Sequence, residues 1–175
     1  DFEVELIVNS ALGCADTLTK NMTIFPLPEP TANGGEICQG EVIELTATGG
    51  LTYSWSPTTG LDNPNAQTVE ASPQSTRTYT VTVTDDNDCV ASTQSFVLVY
   101  EPPPSISVDT VLRIGDTDMA GFNLGPGFTY RWTPDIELEC DTCPTTLFRP
   151  LEDREYTLTI SDTVGCFATE SYFFF

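Results

Sequence analysis

Six cysteines are the residues of this chain best suited to chemistry, and no histidine accompanies them. Without imidazole, a zinc site would need four thiolates or help from carboxylates, and only one Cys-x-x-Cys is present, Cys140–Cys143. Disulfides formed in an oxidising compartment are the simpler chemistry. As a redox motif "CDTC" would want a helix N-terminus and a thioredoxin-like setting, which its surroundings do not offer. A local bridge between Cys140 and Cys143, stapling a surface loop, is expected instead. Two pairings are open for Cys38. Cys38 and Cys89 are the only cysteines of one sequence repeat, so a bond between them is the default, typically worth about 2–4 kcal/mol. The difficulty is geometric. If Cys38 precedes the second strand of a sandwich and Cys89 follows the sixth, they fall at opposite ends, beyond the ~7 Å Cα separation a disulfide tolerates. The alternative joins Cys38 to Cys166 of the next repeat and locks the joint between them. Cys14 is expected to pair outside this sequence.

Oxygen-rich loops are the second candidate. "LDNPN" offers Asp62 and Asn63, and "TDDND" offers Asp85, Asp86 and Asp88. Both could hold calcium, though neither has EF-hand spacing. Asp109, Asp116 and Asp118 make a weaker third group. The plainer reading is solvated turn residues, because the whole chain is acidic: 26 Asp and Glu against 6 Lys and Arg, net charge −20. Such a surface repels nucleic acid and anionic membrane. No cofactor other than calcium is suggested. The chain reads as no enzyme, having no histidine base, no Gly-x-Ser-x-Gly and no glycine-rich phosphate loop. Paired carboxylates are too common in it to mark a glycosidase. No apolar run is long enough for a membrane-spanning helix.

The elements that carry these residues repeat. Tyr53 and Tyr130, Trp55 and Trp132, Pro57 and Pro134, Tyr79 and Tyr156, and Cys89 and Cys166 all stand 77 positions apart. Near the start of the repeat the offset is 75, so the second copy carries two extra residues, expected in "NLGPG". "FEVELIVNSALGC" fits the end of the same template, with two more residues expected in its turn. Residues 1–28 therefore read as the C-terminal hairpin of a preceding module, a marginal unit without the rest of its sheet. Modules follow at 29–101 and 102–175, the latter with the Cys-x-x-Cys loop. The joints "PLPEP" and "EPPP" favour extended, semi-rigid geometry. Apolar alternation in "TYTVTVTD" and "EYTLTISD", with turn residues at short spacing, predicts half-buried strands and an all-β sandwich. Trp55 and Trp132, in Tyr-x-Trp-Ser/Thr-Pro, are either sugar-stacking platforms or core residues of a third strand; the repeat favours core. Tyr79 and Tyr156 are expected in the core or at its corner.

With "LTATGG", "YSWSPTTGL" and "TYTVTVTD" followed by cysteine, the chain resembles the tandem immunoglobulin-like and PKD-like repeats of Bacteroidota surface proteins, such as gliding-motility adhesins and type IX secretion substrates. "RWTPDIELECDTCPTTLFRP" resembles the final repeat before the sorting domain of such proteins. The resemblance implies tandem β-sandwiches and a secreted, cell-surface location. It also implies partners in neighbouring modules and in the secretion and attachment machinery, reached through a C-terminal domain outside this sequence. It implies a stalk or spacer that presents distal regions. The competing readings are an adhesive module for a surface glycan or protein, using exposed aromatics at Tyr172, Phe173, Phe174 and Phe175, or an accessory module of a secreted enzyme.

Overall fold

The computed structural model describes residues 1–105, 111–112 and 117–174. Among them β1 (Phe2–Asn9) and β2 (Ala15–Met22) form an antiparallel hairpin. The first full repeat holds β3 (Thr31–Ala32), β4 (Gly35–Cys38), β5 (Ile43–Thr48), β6 (Thr52–Ser56), β7 (Thr68–Ala71), β8 (Arg77–Thr84) and β9 (Val90–Tyr100). The second holds β10 (Val111–Leu112), β11 (Asp118–Gly121), β12 (Thr129–Thr133), β13 (Thr145–Phe148), β14 (Arg154–Ser161) and β15 (Phe167–Phe174). Threonine, valine and tyrosine alternate through the long strands because a pleated, half-buried surface suits branched and aromatic side chains.

Each full repeat divides its strands between two sheets. The first uses β3-β5-β7 and β4-β9-β8-β6, the second β11-β13 and β10-β15-β14-β12. β4 runs parallel to β9, and β10 parallel to β15, while β3 is antiparallel to β5. A leading strand that serves one sheet and then the other, with a tryptophan strand beside the last two, is the order of an immunoglobulin-like sandwich. The protein is thus all-β, built of tandem immunoglobulin-like sandwiches.

The described chain groups into two compact units. One comprises Asp1–Gly34, Glu44–Ala71 and Thr78–Phe96, the other Gly35–Ile43, Ser72–Arg77 and Val97–Phe175. In the first, Leu45, Ala47, Trp55, Val69, Ala71, Tyr79, Val81 and Val83 are closed off from solvent. In the second, Trp132, Phe148, Tyr156, Tyr172 and Phe174 make an aromatic core with ring centroids 4.7–5.4 Å apart, mostly edge-on or tilted.

The N-terminal hairpin corrects one expectation. Its turn carries no extra residues. β1 has the same length as β8, 8 residues, and Ser10 N–H donates to Cys14 C=O as Asp85 N–H does to Cys89 C=O. Val4, Leu6 and Val8 therefore stand in register with Tyr79, Val81 and Val83. In β8 those three are fully buried, whereas in β1 they are 47%, 58% and 58% exposed.

Candidate functional site

Three turns present cysteine in one way. Asp85 Oδ1 accepts the Asn87 and Cys89 N–H groups, and Asp162 Oδ1 accepts those of Val164, Gly165 and Cys166. Ser10 Oγ accepts Cys14 N–H. The residue before each cysteine has positive φ: 84° at Gly13, 61° at Asp88 and 98° at Gly165. Asp88 can adopt this left-handed conformation because a short polar side chain tolerates it. The shared spacing, an acceptor four residues before cysteine, was visible in the sequence, but its hydrogen-bonding role was not read from it.

One of the three cysteines is bonded. Cys166, fully buried, is joined to Cys38 at a Cα separation of 5.5 Å and a sequence separation of 128. Cys38 sits in a prepared loop. Its N–H donates to Glu41 Oε2, its carbonyl accepts Glu41 N–H, and Gln39 N–H donates to Tyr100 C=O. A cleft of about 290 Å³ beside the bond is walled by Glu36, Ile37, Glu41, Tyr100 and Val164. Tyr100 donates its hydroxyl to Glu36 Oε2 at 3.1 Å. That hydrogen bond holds the phenol above its ordinary range, with burial and the carboxylates of Glu36 and Asp162 adding to the effect.

The default bond between Cys38 and Cys89 is not formed, and Cys89 is a free, partly exposed thiol. The register gives the reason. Cys38 pairs with Tyr100 at the end of β9, whereas Cys89 precedes that strand's first residue, Val90. An 11-residue strand at about 3.3 Å per residue separates the two positions by more than 30 Å. Cys14 is free and exposed.

Cys140 and Cys143 are bonded to each other, Cα 5.5 Å apart. They stand where the first repeat has Asn63 and Ala66, whose turn is closed by Ala66 N–H donating to Asn63 C=O. The second repeat closes that turn covalently. Each turn faces a tryptophan: Trp55 Nε1 donates to Ala66 C=O at 3.0 Å and Trp132 Nε1 to Cys143 C=O at 2.9 Å. Both indoles are sealed inside, 1% and 0% exposed, so neither is a sugar platform. The buried tyrosines add a second strut, Tyr79 Oη donating to Thr59 C=O and Tyr156 Oη to Ile136 C=O. Burial pushes the Tyr156 phenol up, and nearby Glu137 adds to the shift.

Most side chains of the oxygen-rich loops accept hydrogen bonds from the protein itself. Asp62 Oδ1 accepts Glu70 N–H, Asn63 Oδ1 accepts Asn65 N–H, and Asp86 Oδ1 accepts from Asn87 Nδ2. Among the described residues no three Asp, Glu, Cys or His side chains converge as a metal site, so the calcium reading weighed against solvated turns for Asp62, Asn63, Asp85, Asp86 and Asp88 finds no such cluster. Asp109 and Asp116 lie outside the described residues. The aromatic tail is not an exposed platform either. Tyr172 and Phe174 are buried, Phe173 is half exposed, and Phe175 lies outside the described residues.

The strand order and the paired indole and phenol struts define the class, immunoglobulin-like modules in tandem. No family model and no curated protein matches the chain. Solved structures similar to it include DIP-gamma Ig1+Ig2, at TM-score 0.38 and 14% identity over 85% of this chain and 97% of that one. Sidekick-1 immunoglobulin domains 1–4 give 0.39 and 14% over 95% and 55%. The insect immune protein hemolin gives 0.46 and 11% over 97% and 55%. No helix among the described residues is long and apolar enough to cross a membrane.

Proposed function

We propose that these repeats are a structural stalk or spacer in a secreted cell-surface adhesin or gliding-motility-type protein, and that they hold distal regions away from the cell. The observation that carries this reading is the Cys38–Cys166 bond, which ties a residue of one sequence repeat to a residue of the next. A spacer gains from a joint that cannot swivel, and the proline-rich segments "PLPEP" and "EPPP" work in the same direction. The modules on this reading are 29–101 and 102–175, with 1–28 the end of a preceding one. The resemblance of "YSWSPTTGL" and "TYTVTVTD" to Bacteroidota surface repeats adds export through the type IX system and attachment through a sorting domain. Its partners are then other modules of the same kind. The test combines small-angle scattering, with and without reductant, and a glycan and protein array. Reduction should broaden the distribution of interatomic distances, and the array should stay silent. Saturable binding of a glycan or protein by the oxidised chain overturns the spacer reading in favour of an adhesive module.

A further inference from the structure

We propose that Cys89 is the receiving half of a second inter-module staple, and that its partner is the base cysteine of another module of this same repeat type. The proposal rests on the module reading above. Cys89 is not an isolated thiol without a precedent. Its counterpart one repeat later, Cys166, occupies the same turn and is bonded to Cys38, which sits in "GEICQGE". That bond shows what the turn takes: a cysteine at the end of a strand like β4. Cys89 itself is unbonded and partly exposed.

A separate observation points to the same partner. The β1–β2 hairpin turns one apolar face outward: Phe2, Val4, Leu6 and Val8 on β1, with Leu18 and Met22 across from Leu6 and Phe2 on β2. Three of these positions, Val4, Leu6 and Val8, match Tyr79, Val81 and Val83, which are wholly buried in a completed sandwich. The surface that buries that face is the front half of a module, the strands and tryptophan supplied by residues 29–76. Of the two front halves in this sequence, the first carries Cys38 and the second has Arg113 at the matching position, so the staple needs a preceding module of the first kind.

The order of the repeats selects Cys89 over Cys14. In the bond already formed, the base cysteine belongs to the repeat immediately before the one whose turn holds Cys166. The hairpin is the end of the repeat immediately before the one whose turn holds Cys89. A module completed on the hairpin therefore presents its base cysteine to Cys89. The two thiols give up two protons and two electrons to a small-molecule disulfide, which leaves as two thiols.

The experiment extends the chain. A copy of residues 29–76 is placed ahead of Phe2, replacing Asp1, and the protein is refolded with reduced and oxidised glutathione. Disulfides are mapped by mass spectrometry after alkylation without reduction. The expected result is a peptide joining the copied cysteine to Cys89, loss of Cys89 alkylation, continued alkylation of Cys14, and an intact Cys38–Cys166 bond. With serine in place of the copied cysteine, Cys89 should again be alkylated. A bond from the copied cysteine to Cys14, or a folded extension that leaves Cys89 alkylated, overturns the proposal. So does an extension that stays protease-sensitive, because the hairpin face is what should order it. In the unextended chain, Cys89 must be alkylated under native conditions, and protection there also overturns it. The thiol map is independent of the array, so failure of the staple and failure of the spacer reading are told apart.

Discussion

Tyr172 stands where the first repeat has Ser95, whose buried hydroxyl donates to Asn33 C=O at 2.6 Å. The larger ring fills the aromatic core of the second unit, 5.1 Å from Trp132, but its hydroxyl is buried without a partner among the described residues. A buried polar group left unpaired costs about 1–3 kcal/mol. Removing that group while keeping the ring should therefore not destabilise the chain. Tyr172→Phe is expected to leave urea stability unchanged or raise it by up to about 1 kcal/mol; a clear loss would reveal a partner for the hydroxyl. The same residue gives a pH dependence. Burial, then the charge of Glu170, raises the Tyr172 phenol, and burial does the same to Tyr156. A raised folded-state value means that the folded chain holds these protons more tightly than the unfolded chain. The stabilisation is complete below the ordinary tyrosine range, near about pH 10, and is lost as pH rises above it. With free thiols blocked, the urea midpoint should fall above about pH 10. The fall should be shallower in Tyr172→Phe; equal slopes would remove Tyr172 from the account.

At the scale of elements, the crossing from β3 to β4 depends on glycine. A Cβ on Gly34 would lie 2.3 Å from Phe96 O and 3.1 Å from Phe96 N, both backbone atoms that cannot swing aside. On Gly35 the one close atom among the described residues is Ile43 Cδ1, at 2.6 Å, the movable end of a side chain. Gly34→Ala should cost on the order of 1–3 kcal/mol by overpacking, and Gly35→Ala distinctly less. Denaturation of the two variants side by side checks the ranking, and a reversed order would contradict this account of the crossing. The hairpin shows the converse case. β1 and β2 have full register and a closed turn, yet their apolar face is exposed, because two strands alone cannot bury a face.

For the whole molecule, the bond of greatest reach is Cys38–Cys166, spanning a sequence separation of 128. Closing so long a loop restricts the unfolded chain, and such a bond is typically worth about 2–4 kcal/mol. Cys166→Ser should lower stability by about that amount. The change is best followed through Trp132 fluorescence in a Trp55→Phe background, since the two indoles sit in different units. Reductant should lower the parent strongly and the Cys166→Ser variant much less, the remainder reporting Cys140–Cys143. An equal response in both would assign the redox sensitivity to the short bridge. Charge is the other molecular-scale property: a net −20 predicts resistance to self-association at low salt, but it places no ion.

The repeat, the all-β class and the core tryptophans and tyrosines were legible in the sequence, because period-two alternation and a fixed offset are local properties that burial must respect. The Cys140–Cys143 bridge was legible for a similar reason, since a separation of 3 leaves each cysteine a partner close at hand. The aromatic tail was not. A run in which every residue is large and apolar has no visible period, and only β15 shows that Tyr172 and Phe174 turn inward. The partner of Cys38 was not settled either, because sequence proximity favoured Cys89. The tertiary structure decided it by strand register: β4, lying parallel on β9, ends beside Tyr100 at the far end from Cys89, and there the turn that holds Cys166 meets it.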